Sequence, residues 1–163
     1  MKTVLLTPPH DVDTLARLHA TSFADAWSAE WIAKLLAQLG TFAFAGGGEA
    51  GGFVLVRTAG GEAEILTLAV APAARRRGIG SSLVLAACQQ AQEMGAEAVF
   101  LEVGRANEPA KSLYTQLGFR MVGRRRGYYQ RSGGSNEDAL VFLCETSTTP
   151  GGKQCATRLE FPP

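Results

Sequence analysis

The stretch EAEILTLAVAPAARRRGIGSSLVLAACQQAQEMGAEAVFLEV, Glu62 to Val103, decides the fold. Its first ten residues, EAEILTLAVA, alternate and are rich in β-formers, so they read as a strand that Pro72 closes. From Gly78 to Gly95 the period changes. Leu83, Val84, Ala87, Cys88, Ala91 and Met94 make one apolar stripe of a helix. AEAVFLEV, Ala96 to Val103, is a second strand. A strand, a helix and a strand in that order imply a right-handed crossover between two parallel strands. The chain is therefore of the mixed α/β (α+β) class.

Two further strand-like runs, TFAFA and GGFVLVRT, come before this unit, with glycine turns between them. With the strand from Glu62 they form an antiparallel meander. Two helices open the chain. The first runs from Asp11 to Phe23 with Asp11 as N-cap, and the second from Ser28 to Gly40, capped by Ser28 and ended by Gly40. Trp27 lies exposed at the corner between them. After Val103 comes a short helix, Asn107 to Gly118, with Asn107 as N-cap. FRMVG and DALVFLCE then read as two last strands, antiparallel across a long loop. One domain, residues 1–145, is expected. The segment 146–163 has little apolar content and reads as a flexible tail.

The 163 residues are 46% hydrophobic, which suits one domain with a real core. No apolar run has the length of a membrane span. The start MKTVLLTPPHD is too short in its apolar part for a signal peptide, so a cytoplasmic protein is expected, with no membrane partner. Three cysteines without CxxC spacing or a Cys/His cluster point to neither a disulfide framework nor a zinc site, and Cys88 and Cys144 read as core residues. The net charge is only +1, which argues against direct nucleic-acid binding, yet arginines cluster at Arg75–Arg77 and Arg124–Arg126.

Three positions can carry chemistry. The loop Arg75-Arg76-Arg77-Gly78-Ile79-Gly80-Ser81 leaves a strand and opens a helix. Unpaired amides and the helix dipole at such a start suit a phosphate, and glycines allow close approach. It is not a Walker loop, because no GKS or GKT follows, and Leu83 fills the third glycine position of a dinucleotide fingerprint. A basic turn capped by glycine is the simpler reading. Glu102 shares a strand face with Phe100, opposite Leu101 and Val103. A carboxylate buried there is costly unless paired or used as a base; a solvated strand end is the alternative. Tyr114 lies on the inner face of the Asn107 helix with Leu113 and Leu117, as a core tyrosine would.

Taken together, these residues resemble a family. VAPAARRRGIGSSLV resembles the acetyl-CoA signature of the GCN5-related N-acetyltransferases (GNAT), with Arg75, Gly78 and Gly80 in its Arg-x-x-Gly-x-Gly core. LEVGRANEPAKSLYTQLGF, RRRGYY, EDALVF and SFADAWSAEW are similar to segments of the ribosomal-protein-alanine (RimI-type) branch. The resemblance spans roughly residues 3–145. It implies a central mixed, mostly antiparallel sheet splayed at its parallel pair and flanked by about four helices. It implies acetyl-CoA as co-substrate and no metal. The pantetheine would lie along Leu68, Ala69 and Val70. The diphosphate would sit on the amides from Arg75 through Arg76, Arg77, Gly78, Ile79 and Gly80 to Ser81. Asn107 and Tyr114 would touch the cofactor. Glu102 matches the position of the general base and Tyr114 that of the general acid, while Trp27, Tyr128 and Tyr129 match segments that line the peptide side.

The substrate so implied is a protein N-terminus, the N-terminal alanine of a small-subunit ribosomal protein, modified by a monomeric enzyme. Two other readings stay open. One is a small-amine or protein-lysine acetyltransferase, although Asp25 is the main acid in the segments expected around the amine. The other is a basic RNA-binding module built on the two arginine triplets.

Overall fold

The computed structural model describes residues 2–8, 10–48, 51–130 and 136–146. Its seven strands are β1 (Thr3–Leu5), β2 (Thr41–Gly46), β3 (Gly52–Ala59), β4 (Glu62–Val70), β5 (Ala98–Gly104), β6 (Arg120–Gln130) and β7 (Asn136–Glu145). The helices are α1 (Val12–Ala20), α2 (Ala29–Leu36), α3 (Ile79–Glu93) and α4 (Glu108–Gln116). One sheet runs in the order β1-β2-β3-β4-β5-β7-β6, and among the described residues only β4 and β5 pair in parallel. The meander, the crossover and the mixed sheet with four helices are as expected.

Local chemistry explains the helix starts. Asp11 accepts from Thr14 N at 3.0 Å, Ser28 from Trp31 N at 3.1 Å and Asn107 from Ala110 N at 3.2 Å, so each side chain satisfies an orphan amide of the first turn. The helix ends differ from expectation. α1 stops at Ala20 rather than Phe23, and α2 at Leu36, before Gly40. Met94 is 45% exposed, because α3 has ended at Glu93 and the stripe no longer faces the sheet.

Two apolar layers sandwich the sheet. Leu15, Ile32 and Leu35 of α1 and α2 pack with Ala43, Phe53, Leu55 and Ala69 on one face. Ile79, Leu83, Val84, Ala87, Cys88 and Ala91 of α3, with Tyr114 of α4 and Leu117 just after it, pack with Val54, Val56, Ile65, Val99 and Leu101 on the other. Cys88 is free and buried, and burial pushes its thiol up to about 12. Cys144 is buried and disulfide-bonded, which corrects the reading of it as a plain core residue; pairing depends on the fold, and spacing alone does not show it.

The feature that positions the site is a bulge in β4. Leu55 pairs with Thr67 but Val56 pairs with Ile65, so Leu66 is an extra residue. Before it, Ala63 and Ile65 face the α3 layer. After it Leu68 and Val70 face that layer, and Ala69 turns to the other. One added residue has shifted the alternation by one. The parallel pairing with β5 also stops here, at Ile65 opposite Leu101.

β6 is longer than the five residues FRMVG imply. It runs on through Arg124-Arg125-Arg126-Gly127, with a second irregularity between Arg125 and Tyr129 and Gly127 at φ 62°. Thr146, the last described residue, is buried, and its N–H donates to Glu97 O at 2.8 Å. The expected tail beyond it lies outside the described residues.

Deleting Leu66 would make Leu55–Thr67 and Val56–Ile65 consecutive regular pairs, keep Leu68, Ala69 and Val70 on their present layers and let the ladder to β5 continue past Ile65, so amide hydrogen exchange at Leu68 and Val70 is expected to slow by about tenfold or more. Leu66→Ala keeps the bulge and is expected to cost about 1–2 kcal/mol, less than a fully buried leucine. Wild-type exchange at Leu68 and Val70 in the deletion would show that the bulge is not what parts β4 from β5.

Candidate active site

Beyond the bulge, β4 and β5 diverge, and a cleft of about 480 Å³ opens between them. Leu66, Thr67 and Leu68 form one wall, and Glu102, Val103 and Gly104 the other, with Asn107, Ala110 and Tyr114 of the α4 region closing one side. Phe23 and Glu137 also reach it.

The β4 wall presents backbone. Gly52 stands opposite Val70, and Ala71 N donates to Gly51 O at 2.9 Å. In an antiparallel ladder this makes Gly52 and Val70 a pair that do not bond each other. The peptide groups of Val70, and by alternation of Leu68, therefore point away from β3 and into the gap. Val70 O is already used: it accepts from Ser22 Oγ at 3.2 Å and from Arg75 Nε at 3.0 Å.

Arg75 thus ties the end of β4 to the α1–α2 link, and its Nη2 also lies 3.4 Å from Ser22 Oγ. Its own N–H donates to Pro72 O at 3.3 Å, so the amides open to an anion begin after it. Arg76 is held at φ 62°, a conformation side chains rarely adopt, and Gly78 at φ 77°. Ser82 N is the first amide to close an α-turn, on Gly78 O at 3.0 Å. The N–H groups of Ile79, Gly80 and Ser81 therefore lack intrahelical partners, as at any helix start. Gly80 sits where three elements meet. A Cβ there would lie 3.3 Å from Leu113 Cδ2 and 3.9 Å from Leu68 Cδ2 and Val70 Cγ2.

Glu102 stands on the face that the alternation gave it, with Val99, Leu101 and Val103 buried on the other. It is not a solitary buried carboxylate. Its Oε1 accepts from Arg125 Nη1 at 2.6 Å. Tyr114 is 6% exposed, with its ring edge-on to Phe119 at 5.6 Å and tilted to Phe142 at 6.5 Å, yet it also lines the cleft. Core packing and cleft contact are combined in this one residue. Asn107 lines the cleft while its Oδ1 caps α4.

Trp27 is half-buried rather than exposed. Its ring stacks on His19 at 4.9 Å, and Phe23 stacks on the same imidazole at 4.3 Å. Trp27 N donates to His19 Nδ1 at 3.1 Å, so the imidazole is neutral with its proton on Nε2. Burial holds the His19 pKa below its ordinary value. The strand backbone through Tyr128 and Tyr129 is described; their side chains lie outside the described residues.

Sequence reasoning missed two groups. Glu137 Oε1 accepts from Ala106 N at 2.6 Å and so fastens the β5–α4 turn to β7. Arg125 reaches Glu102 from two strands away. Neither has a local pattern that could have shown it.

Comparison with known proteins agrees with this geometry. The acetyltransferase (GNAT) family matches residues 12–119. A ribosomal protein bS18-alanine N-acetyltransferase of Haemophilus ducreyi is 35% identical over 90 residues, 55% of this chain and 62% of the relative; the match thus spans less than two thirds of that relative. The crystal structure of the ribosomal-protein-S18-alanine N-acetyltransferase from Escherichia coli superposes with a TM-score of 0.79 at 24% identity, covering 98% of this chain and 100% of that one. Arabidopsis thaliana NAA60 in complex with acetyl-CoA superposes at 0.73 with 21% identity, covering 88% and 98%. At these identities the two structures establish the shared fold.

The His19 stack has a pH consequence. The unfolded chain takes up a proton near the ordinary histidine value of 6.5, and the folded chain resists it. This contribution to stability is present above about pH 6.5 and is lost as pH falls below it. Urea titrations at pH 7.5 and 5.5 are expected to show a larger loss for the wild type than for His19→Gln. Parallel losses would show that His19 does not titrate with folding.

Proposed function

The chain belongs to the acetyltransferase (GNAT) family, and we propose that it is a cytoplasmic, acetyl-CoA-dependent enzyme that acetylates a protein N-terminus, the N-terminal alanine of a small-subunit ribosomal protein. The observation that carries this reading is the cleft itself. Leu68, Glu102 and Tyr114 line it, the backbone of Val70 points to the same side beyond Leu68, and Gly80 at the α3 start lies against Leu68 and Val70. The named activity of the Haemophilus ducreyi relative supports the choice of substrate.

The residues suit the reaction. The extended pantetheine arm would pair with the open edge of β4 as an added strand does. The diphosphate would meet the amides of Ile79, Gly80 and Ser81. An α-ammonium has an ordinary pKa of about 8, against about 10.4 for lysine, so a carboxylate can take its proton, directly or through one water. Glu102 is that base. The neutral amine attacks the thioester carbonyl carbon, and the Val70 N–H, aimed into the gap, stabilises the oxyanion. The C–S bond then breaks, and Tyr114 gives its proton to the leaving thiolate. One observation favours a second reading, a small cationic amine: Glu137 adds a second carboxylate to the cleft.

With acetyl-CoA in excess, an alanine-initiated peptide with a free N-terminus is expected to be acetylated and its N-blocked form left untouched. Acetylation of internal lysine alone, or faster turnover of small amines, would replace the reading. Glu102→Gln is expected to lower kcat by about a hundredfold or more while acetyl-CoA affinity stays within about threefold of the wild type. In calorimetric titrations Gly80→Val is expected to weaken acetyl-CoA binding more than Arg76→Ala does, since its side chain must displace Leu113 at the meeting of β4, α3 and α4. Equal losses would return the binding to the arginine charge.

A further inference from the structure

Glu102 is reached by a cation from a distant strand, and the path between them is built for it. Across the sheet, Glu102 stands opposite Val141 and Gly104 opposite Ala139. On β6, Gly123 stands opposite Val141 and Arg125 opposite Ala139. Directly opposed residues share a face, so these six lie on one face of β5, β7 and β6. The row that Arg125 spans is Ala139 and Gly104, the smallest side chains available, with the Glu137 carboxylate lying against Gly104. The guanidinium therefore reaches across β7 and places Nη1 2.6 Å from Glu102 Oε1.

The β6 backbone is fixed on both sides of Arg125. Asp138 Oδ2 accepts from Arg124 Nε at 2.6 Å, and Asp138 Oδ1 from Gly127 N at 2.8 Å. The Gly127 N–H first, and then the Arg124 guanidinium, hold the Asp138 carboxyl below the usual carboxylate range. One carboxylate thus pins the irregular segment between Arg125 and Tyr129.

We infer that Arg125 is a positioning residue for Glu102: it holds one carboxylate oxygen across β7 and leaves the second for the incoming amine. This rests on Glu102 being the base. A carboxylate at a strand end has free rotation about its side-chain bonds, and misplacement by about 1 Å can cost about a hundredfold in rate. A planar guanidinium with fixed donors restrains such a group better than an ammonium. Arg120, on the same strand as Arg125, pairs with Glu145 of β7 at 3.1 Å and makes a matched surface pair away from the cleft.

The test is a kinetic cycle on the full chain with acetyl-CoA and the free N-terminal peptide. Arg125→Ala is expected to lower kcat about ten- to a hundredfold, with acetyl-CoA affinity unchanged. Arg125→Lys should recover part of the loss, and millimolar guanidinium added to Arg125→Ala should recover part as well. In the Glu102→Gln background, Arg125→Ala should change kcat less than about twofold, because the group it positions is gone. Arg120→Ala should behave as the wild type. Wild-type kcat in Arg125→Ala would overturn the inference, and so would an equal loss in the Glu102→Gln background, which would mark plain structural damage. Glu102→Gln is read first: wild-type turnover there would instead remove the base on which the inference stands.

Discussion

The extra residue at Leu66 is the constraint on which the site depends. A strand buried on both faces must keep its alternation in register with its neighbour. β4 keeps it with β3 up to Val56 and Ile65, gains one residue, and resumes at Leu55 and Thr67. The inserted residue bends the strand, and the ladder to β5 ends at Ile65. Without the bend, β4 and β5 would pair along their whole length, and no backbone groups would be open inside the sheet.

The gap so formed leaves peptide N–H and C=O groups of a central strand without a neighbouring strand, which is costly unless something meets them. The fold meets part of the demand itself. Val70 O is taken by Ser22 and Arg75. The arginine in the signature position is therefore engaged in the frame, closing one acceptor so that the remaining groups of Leu68 and Val70 face the cleft in one arrangement. Gly80 completes the corner, since a Cβ there would press on Leu113 Cδ2 at 3.3 Å. Under the proposed function, specificity for an extended, amide-bearing ligand would come from backbone, and side chains set where that backbone stands.

Much of this was legible from local pattern. The N-caps Asp11, Ser28 and Asn107 each depend on one side chain and an amide three residues on, and all three are formed. The facing of Glu102 follows from simple alternation in β5, which has no bulge. The meander and crossover follow from turn residues and periodicity. What could not be read has a common physical cause, contact between residues far apart in sequence. The bulge at Leu66 appears only in the pairing of β4 with β3. The stack of Phe23, His19 and Trp27 is the exception, local in sequence but set by the irregular turn after α1, where helical spacing no longer applies. The length of β6 depends on Asp138 receiving Gly127 N, so RRRG reads as loop in isolation and forms strand beside β7.

The same distance effect revises the meaning of the two arginine clusters. Read along the chain, each is a patch of positive charge. In the fold, Arg124 and Arg125 pair with Asp138 and Glu102, and nearby Arg120 pairs with Glu145. Each acid comes from another strand, so the charge of β6 is largely neutralised by its neighbours. The loop cluster differs. Arg75 is turned to Val70 O, while Arg76 and Arg77 are exposed beside the α3 start. Two cations next to a helix N-terminus add to the field of its amides. Their exposure keeps them screened by solvent, so under the proposed function they would strengthen attraction to a polyphosphate from a distance, while the backbone at Gly78 to Ser81 would set the close geometry.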